Sequence, residues 1–131
     1  MLFRSAELYG HAGIEADLEI LRLLGESVLA CCVVGARMDI GHVGVFRALI
    51  RRAGISPDLE AQLHQAMVAK DSEALSQCAA TLDPVIGAAL VAMTRLYGDP
   101  SILQKASKVL PPHPEIVMAL QDLAQIGRAH V

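Results

Sequence analysis

The stretch between Met38 and Gly54 carries the residues most able to do chemistry. His42 follows an apolar run, and a helix is predicted to begin almost directly behind it. A histidine there could act as a general base or bind a metal ion, and Gly41 and Gly44 could expose backbone N–H groups to an anion. The plainer alternatives are a partly buried, hydrogen-bonded imidazole and glycines that only make the turn. We favour both of these.

The predicted helix also carries three arginines, Arg47, Arg51 and Arg52, on one of its faces. They could form an anion site or an interface with a partner. Exposed arginines are ordinarily solvated, however, and we favour that interpretation. No serine or cysteine can be placed beside His42 as a nucleophile from the sequence.

Metal and cofactor motifs are missing from the sequence. The five histidines are scattered without metal-ligand spacing, and no glycine-rich phosphate-binding motif occurs. Cys31 and Cys32 are adjacent and Cys78 stands alone, which is typical of buried cysteines in a cytoplasmic protein rather than of disulfides. We therefore expect no metal and no cofactor.

Glu7 is the carboxylate with the most unusual predicted setting. It lies within Ala6–Gly10, a segment whose alternation predicts a short strand. A buried carboxylate is costly unless it meets a cation or several hydrogen-bond donors. From the residues alone, the outward face of an edge strand is the better interpretation for Glu7.

The composition limits the function classes. The chain has 131 residues, of which 53% are hydrophobic and only 3% aromatic, a balance that suits helix packing. The net charge of -3 provides no basic field for a phosphate backbone, so we expect no nucleic-acid partner. The longest uncharged apolar runs have about ten residues, whereas a membrane span needs about 20. We expect no membrane segment.

The first part of the chain alternates predicted strands and helices. A strand at Ala6–Gly10 precedes a helix at Glu15–Ala30, whose first turns are acidic as the helix dipole favours. A second strand at Val33–Gly41 precedes a helix at Gly44–Ala53, which Gly54 would terminate. This order predicts an α+β fold.

From Ser56 onward the sequence predicts short helices only. Capping side chains precede prolines at Ser56-Pro57, Asp83-Pro84 and Asp99-Pro100, and less favourably at His113-Pro114. Two apolar stripes are predicted to face a core: Leu59, Leu63, Ala66 and Met67, and then Val85, Ala88, Ala89 and Ala92.

The two ends resemble translated sequencing adapter. One coding of Leu2–Ser5 is CTCTTCCGATCT, and one coding of Ile126–Ala129 begins with most of its reverse complement. We expect residues 1–5 and 126–131 to be adapter and the rest to be an internal fragment of a longer protein, so these ends are left out of the fold prediction.

The order of two stretches resembles the histidyl-tRNA synthetase family. AELYGHAGIEADLEILRLL is similar to the strand, loop and helix that follow motif 2, and MDIGHVGVFRALIRRAGIS is similar to the next strand and helix. The Gly-His-Val-Gly form is closer to the synthetase-like regulatory subunits of ATP phosphoribosyltransferase. LEAQLHQAMVAKDSEAL, LYGDPSIL and LPPHPEI also resemble those subunits.

The resemblance implies that residues 6–54 are part of a class II synthetase-like antiparallel-sheet core and that residues 55–125 form a helical bundle. It implies a non-catalytic subunit that activates the short-form catalytic phosphoribosyltransferase and confers feedback inhibition by histidine, with self-association. By position, Glu7 matches the glutamate that contacts the α-amino group of histidine. Two alternatives stay open: an authentic histidyl-tRNA synthetase and a small helical interaction module.

Overall fold

A computed structural model describes residues 6–129, and these residues form seven helices. They divide into two compact units. One unit holds the described residues up to Ile40 and those from Asp122 onward; the other is Gly41–Gln121. The helices are α1 Ile14–Ala30, α2 Val43–Ala53, α3 Pro57–Val68, α4 Ser72–Ala79, α5 Pro84–Met93, α6 Ile102–Val109 and α7 Pro114–Arg128.

The predicted α+β fold is wrong, because residues 6–129 contain no strand. The segments predicted as strands, Ala6–Gly10 and Val33–Gly41, are irregular. A strand exists only when a neighbouring strand takes up its backbone hydrogen bonds, and neither segment has such a neighbour among the described residues. Positive φ angles of 86° at Gly10 and 74° at Gly35 also interrupt the extended backbone.

Side-chain caps explain where the helices of the second unit begin. Ser56 accepts the Leu59 N–H before α3, and Asp83 accepts the Val85 N–H before α5, as predicted. A further cap at Asp71, which accepts two backbone N–H groups, begins α4 and was not predicted.

The predicted helix start at Asp99-Pro100 is shifted. Asp99 accepts the Ser101 N–H at 2.8 Å, and α6 begins only at Ile102. Hydrogen bonding to Ser101, first with its side chain and then with its backbone N–H, lowers the pKa of the Asp99 carboxyl. The end of α2 agrees with the prediction: Gly54 follows the helix, adopts φ 59° and terminates it.

The hydrophobic core lies within the second unit. Leu49, Leu63, Leu75, Leu90 and Ile116 are its largest fully buried side chains. The stripe predicted on α3 faces this core, with Leu63 and Ala66 buried and Leu59 and Met67 packed against them.

Two of the four residues in the stripe predicted on α5 do not face the core, and a third, Ala92, is half-buried. Ala89 is buried as expected, but Val85 is 62% exposed and Ala88 is exposed as well. The face that enters the core carries Leu90 instead. Every residue of α5 is apolar, so the sequence offers no polar face from which the direction of burial could be read.

Residues 1–5 and 130–131, on which part of the adapter prediction falls, lie outside the described residues. The adapter origin of the ends and the domain boundary after residue 54 stay predictions. None of the helices between residues 6 and 129 is both long and apolar enough to cross a bilayer.

Candidate functional site

Glu7 lies in the irregular segment before α1, and its carboxylate is exposed. The Tyr9 hydroxyl donates a hydrogen bond to Glu7 Oε2 at 2.5 Å. This bond raises the pKa of the Tyr9 phenol, because ionising the phenol would lose the bond and place two negative charges side by side. The carboxylate of Glu7 is thus held by a neighbour two residues away.

A shallow surface cavity of about 390 Å³ lies beside Glu7. Its polar lining includes the side chains of Tyr9, His11 and Asp17, and its apolar lining includes Ile20. Two acidic residues, Glu7 and Asp17, and one histidine, His11, therefore line a site open to solvent. Such a lining suits a small cationic or ammonium-bearing ligand.

His11, which lines this cavity, contacts Glu15 in the first turn of α1. His11 Nε2 lies 3.3 Å from Glu15 Oε2. The pKa of Glu15 is lowered, first by its own backbone N–H and then by the hydrogen bond with His11. Gly13 permits this approach, because a Cβ there would lie 2.6 Å from Glu15 Oε2 and 2.9 Å from His11 Nε2.

His42 has a structural use in the described residues. It is the N-cap residue of α2, and its Nδ1 accepts the Gly44 N–H at 3.0 Å. The bond consumes the Nδ1 lone pair that a general base or metal ligand would use through that atom. This capping bond favours the structural interpretation of His42. Residues 6–129 hold no group of three or more His, Cys, Asp or Glu side chains that could bind a metal ion.

The three arginines of α2 do not converge on one site. All three are exposed, and Arg51 forms an ion pair with Glu115 at the start of α7, at 2.7 Å. An exposed pair of this kind contributes little to stability, so it orients the guanidinium more than it holds the fold. The solvated interpretation fits Arg47 and Arg52.

The prediction of buried cysteines is wrong for two of the three. Cys31 and Cys32 are exposed, while Cys78 is half-buried. The pair follows the end of α1, where Cys32 adopts φ 58° and the chain leaves the helix. Apolar neighbours in sequence do not bury a residue that lies beyond the end of its helix.

Comparison with known proteins places the chain among its relatives. The family model described as histidyl-tRNA synthetase matches residues 2–130. The chain belongs to this family. The match extends over both the irregular Glu7 segment and the helical second unit, which are the parts that carry the resemblance in sequence.

Three curated relatives of the chain carry the name ATP phosphoribosyltransferase regulatory subunit. The protein of Nitrosomonas eutropha is 44% identical over 95% of this chain and 33% of its own length. Those of Nitrosospira multiformis and Thiobacillus denitrificans are 46% and 43% identical over 93% and 95% of this chain, and over 32% and 39% of their own lengths. The resemblance to these subunits is confirmed, and the chain spans about a third of the first two relatives.

A second cavity, in the unit Gly41–Gln121, was not predicted from the sequence. A groove of about 640 Å³ runs between α4, α5 and α6. Its lining is apolar apart from Ser76, Arg95 and Lys105. The signal that could have revealed it is α5, whose ten residues are all apolar although only some of them can face one core.

Proposed function

We propose that the protein of which this chain is part is a non-catalytic regulatory subunit that activates the short-form catalytic ATP phosphoribosyltransferase and makes it sensitive to histidine. The observation that carries the proposal is the shared name of relatives that are 43–46% identical over nearly the whole chain. Its proposed partner is the catalytic subunit, its proposed location is the cytoplasm, and it self-associates.

The proposed histidine site includes Glu7. An ammonium group is the cation that a carboxylate of this kind requires, and the cavity beside Glu7 carries a second carboxylate, Asp17. The Glu7 carboxylate keeps one oxygen beyond the Tyr9 bond for a ligand. Histidine binding there and activation of a distant catalytic site would be linked by a coupling free energy, typically about 1–3 kcal/mol.

The test uses the full-length protein with its catalytic partner. Glu7→Gln should raise the histidine concentration for half-inhibition about tenfold or more, since hydrogen bonds to charged groups contribute about 1.5–3 kcal/mol. Activation without histidine should stay close to that of the unsubstituted protein. Glu19→Gln is the matched control, because Glu19 is exposed on α1 but does not line the cavity. Unchanged inhibition in Glu7→Gln would remove Glu7 from the site.

The description of the matching family favours a second candidate, an authentic histidyl-tRNA synthetase. An aminoacylation assay on the full-length protein separates the two. Histidine-dependent charging of tRNA would establish the synthetase. Activation of the catalytic phosphoribosyltransferase without charging would establish the regulatory subunit.

A further inference from the structure

The groove between α4, α5 and α6 has a preformed floor. Ala79 of α4 and Gly87 of α5 are both buried where these helices meet. A Cβ added to Gly87 would lie 2.7 Å from the Ala79 carbonyl oxygen, so the two backbones leave no room for a side chain at this position. Leu90 of α5 is fully buried in the core. The groove therefore needs little rearrangement to receive a ligand.

The walls of the groove leave apolar surface exposed to solvent. Ala80 and Ala88 are exposed, Val91 and Leu96 are half-buried, and Val109 is 43% exposed. Small side chains on two neighbouring helices allow a third helix to approach closely. Ala88 of α5, which the core does not use, lies in this groove.

Both charged residues that line the groove are cations. Arg95 follows α5 and Lys105 lies on α6, and both are exposed. Neither takes part in an ion pair among the described residues, and no carboxylate lines the groove. The groove therefore carries positive charge, whereas the chain as a whole has a net charge of -3.

We propose that this groove is a docking site for an acidic amphipathic helix of a partner protein. The apolar face of that helix would lie on the alanines of α4 and α5, and its carboxylates would pair with Arg95 and Lys105. The ten residues of α5 correspond to about 15 Å at 1.5 Å per residue, so the groove suits a helix of about three turns. A nucleic acid would find too few cations and an apolar floor that offers nothing to phosphates.

The proposal rests on the geometry of the second unit and not on the proposed regulatory function. The probe is a fluorescein-labelled synthetic peptide of about 14 residues, with leucines at helical spacing and glutamates flanking them. Fluorescence anisotropy with the full-length protein measures its binding at low salt. We expect saturable binding, and a loss of at least about tenfold in affinity, or about 1.4 kcal/mol, for Arg95→Glu with Lys105→Glu.

The matched control is Arg52→Glu with Lys108→Glu, which changes the net charge equally at exposed positions outside the groove. It should bind the peptide within about twofold of the unsubstituted protein, since charges outside the groove act on the peptide only through screened long-range forces.

Ala88→Glu, a substitution at an exposed helical position, should abolish binding without unfolding, as circular dichroism would verify. Equal loss in the control, equal binding of a peptide with lysines in place of glutamates, or binding of decanoate but not of the peptide would overturn the proposal.

Discussion

Glu7 and His42, the side chains best suited to binding or catalysis, form hydrogen bonds with residues close to them in sequence. Glu7 accepts from Tyr9, and His42 accepts from the Gly44 backbone. Residue types and spacing could indicate His42 as a structural imidazole and Glu7 as an exposed carboxylate. They could not indicate the Tyr9 contact, because it depends on the irregular backbone that the segment adopts in place of the predicted strand.

Titration of Tyr9 tests the contact with Glu7. The bond to the carboxylate holds the Tyr9 pKa above the ordinary value of a phenol, so Glu7→Gln should lower it. Ultraviolet difference spectra of the tyrosinate report the pKa, in a Tyr97→Phe background that leaves one tyrosine. Glu19→Gln should leave the Tyr9 titration unchanged. A Tyr9 titration that does not respond to Glu7→Gln would show that the two side chains do not interact in solution.

A double-substitution cycle tests the cap at His42. His42→Ala should lower the free energy of unfolding by about 1 kcal/mol through the lost cap. In the unsubstituted chain, Gly44→Ala gains helix propensity but places a Cβ 2.7 Å from the imidazole, which must leave the cap. The gain and the loss are each about 1 kcal/mol, so the net change should be small.

In the His42→Ala background the clash is gone, and Gly44→Ala should stabilise by about 0.5–1 kcal/mol. Urea denaturation of the four chains measures the coupling between the two positions. His42→Asn serves as the control, because asparagine is itself a good N-cap residue and should keep most of the stability. Additive effects of the two alanines would argue that the ring does not cap α2.

At the scale of elements, the helices could be predicted well and the strands could not. Proline with a preceding capping residue is a local signal, and it located the starts of α3 and α5 correctly. A strand depends on a partner strand elsewhere in the chain, so the local sequence of Ala6–Gly10 or of Val33–Gly41 could not determine whether a strand forms there. The inward face of α5 was also beyond prediction, because a helix that is apolar on all sides shows no periodicity.

Gly87→Ala tests the close crossing of α4 and α5. Alanine is the better helix former by about 1 kcal/mol, but its Cβ would meet the Ala79 carbonyl oxygen at 2.7 Å, and backbone cannot move aside cheaply. We expect the clash to prevail and the free energy of unfolding to fall by about 1–3 kcal/mol. Gly25→Ala in α1 is the contrast: nothing lies within 4 Å of its Cβ, so it should raise helicity. A stabilised Gly87→Ala chain would contradict the crossing.

At the scale of the whole molecule, burial is distributed unequally between the two units. The core cluster runs from Val45 to Ala119 and lies entirely in Gly41–Gln121. Up to Ile40, by contrast, Ala16 is the only buried residue among those described. Leu24 and Leu29 of α1 are 50% and 72% exposed, and Val34 is 95% exposed. Packing therefore stabilises the second unit much more than α1.

Hydrogen exchange should resolve this difference directly. Amide protection approaches the global free energy of unfolding only where helices pack on a core, and a helix with one buried residue opens locally at little cost. We expect the slowest exchange in α2, α3 and α5, and exchange faster by at least about tenfold in α1, or about 1.4 kcal/mol less protection. Leu63→Ala, in the core, should lower protection throughout Gly41–Gln121 by about 2–5 kcal/mol and leave α1 nearly unchanged. Equal protection of α1 and α3, or an equal response of both to Leu63→Ala, would mean that the chain unfolds as one cooperative body, and the unequal burial would then not determine its stability.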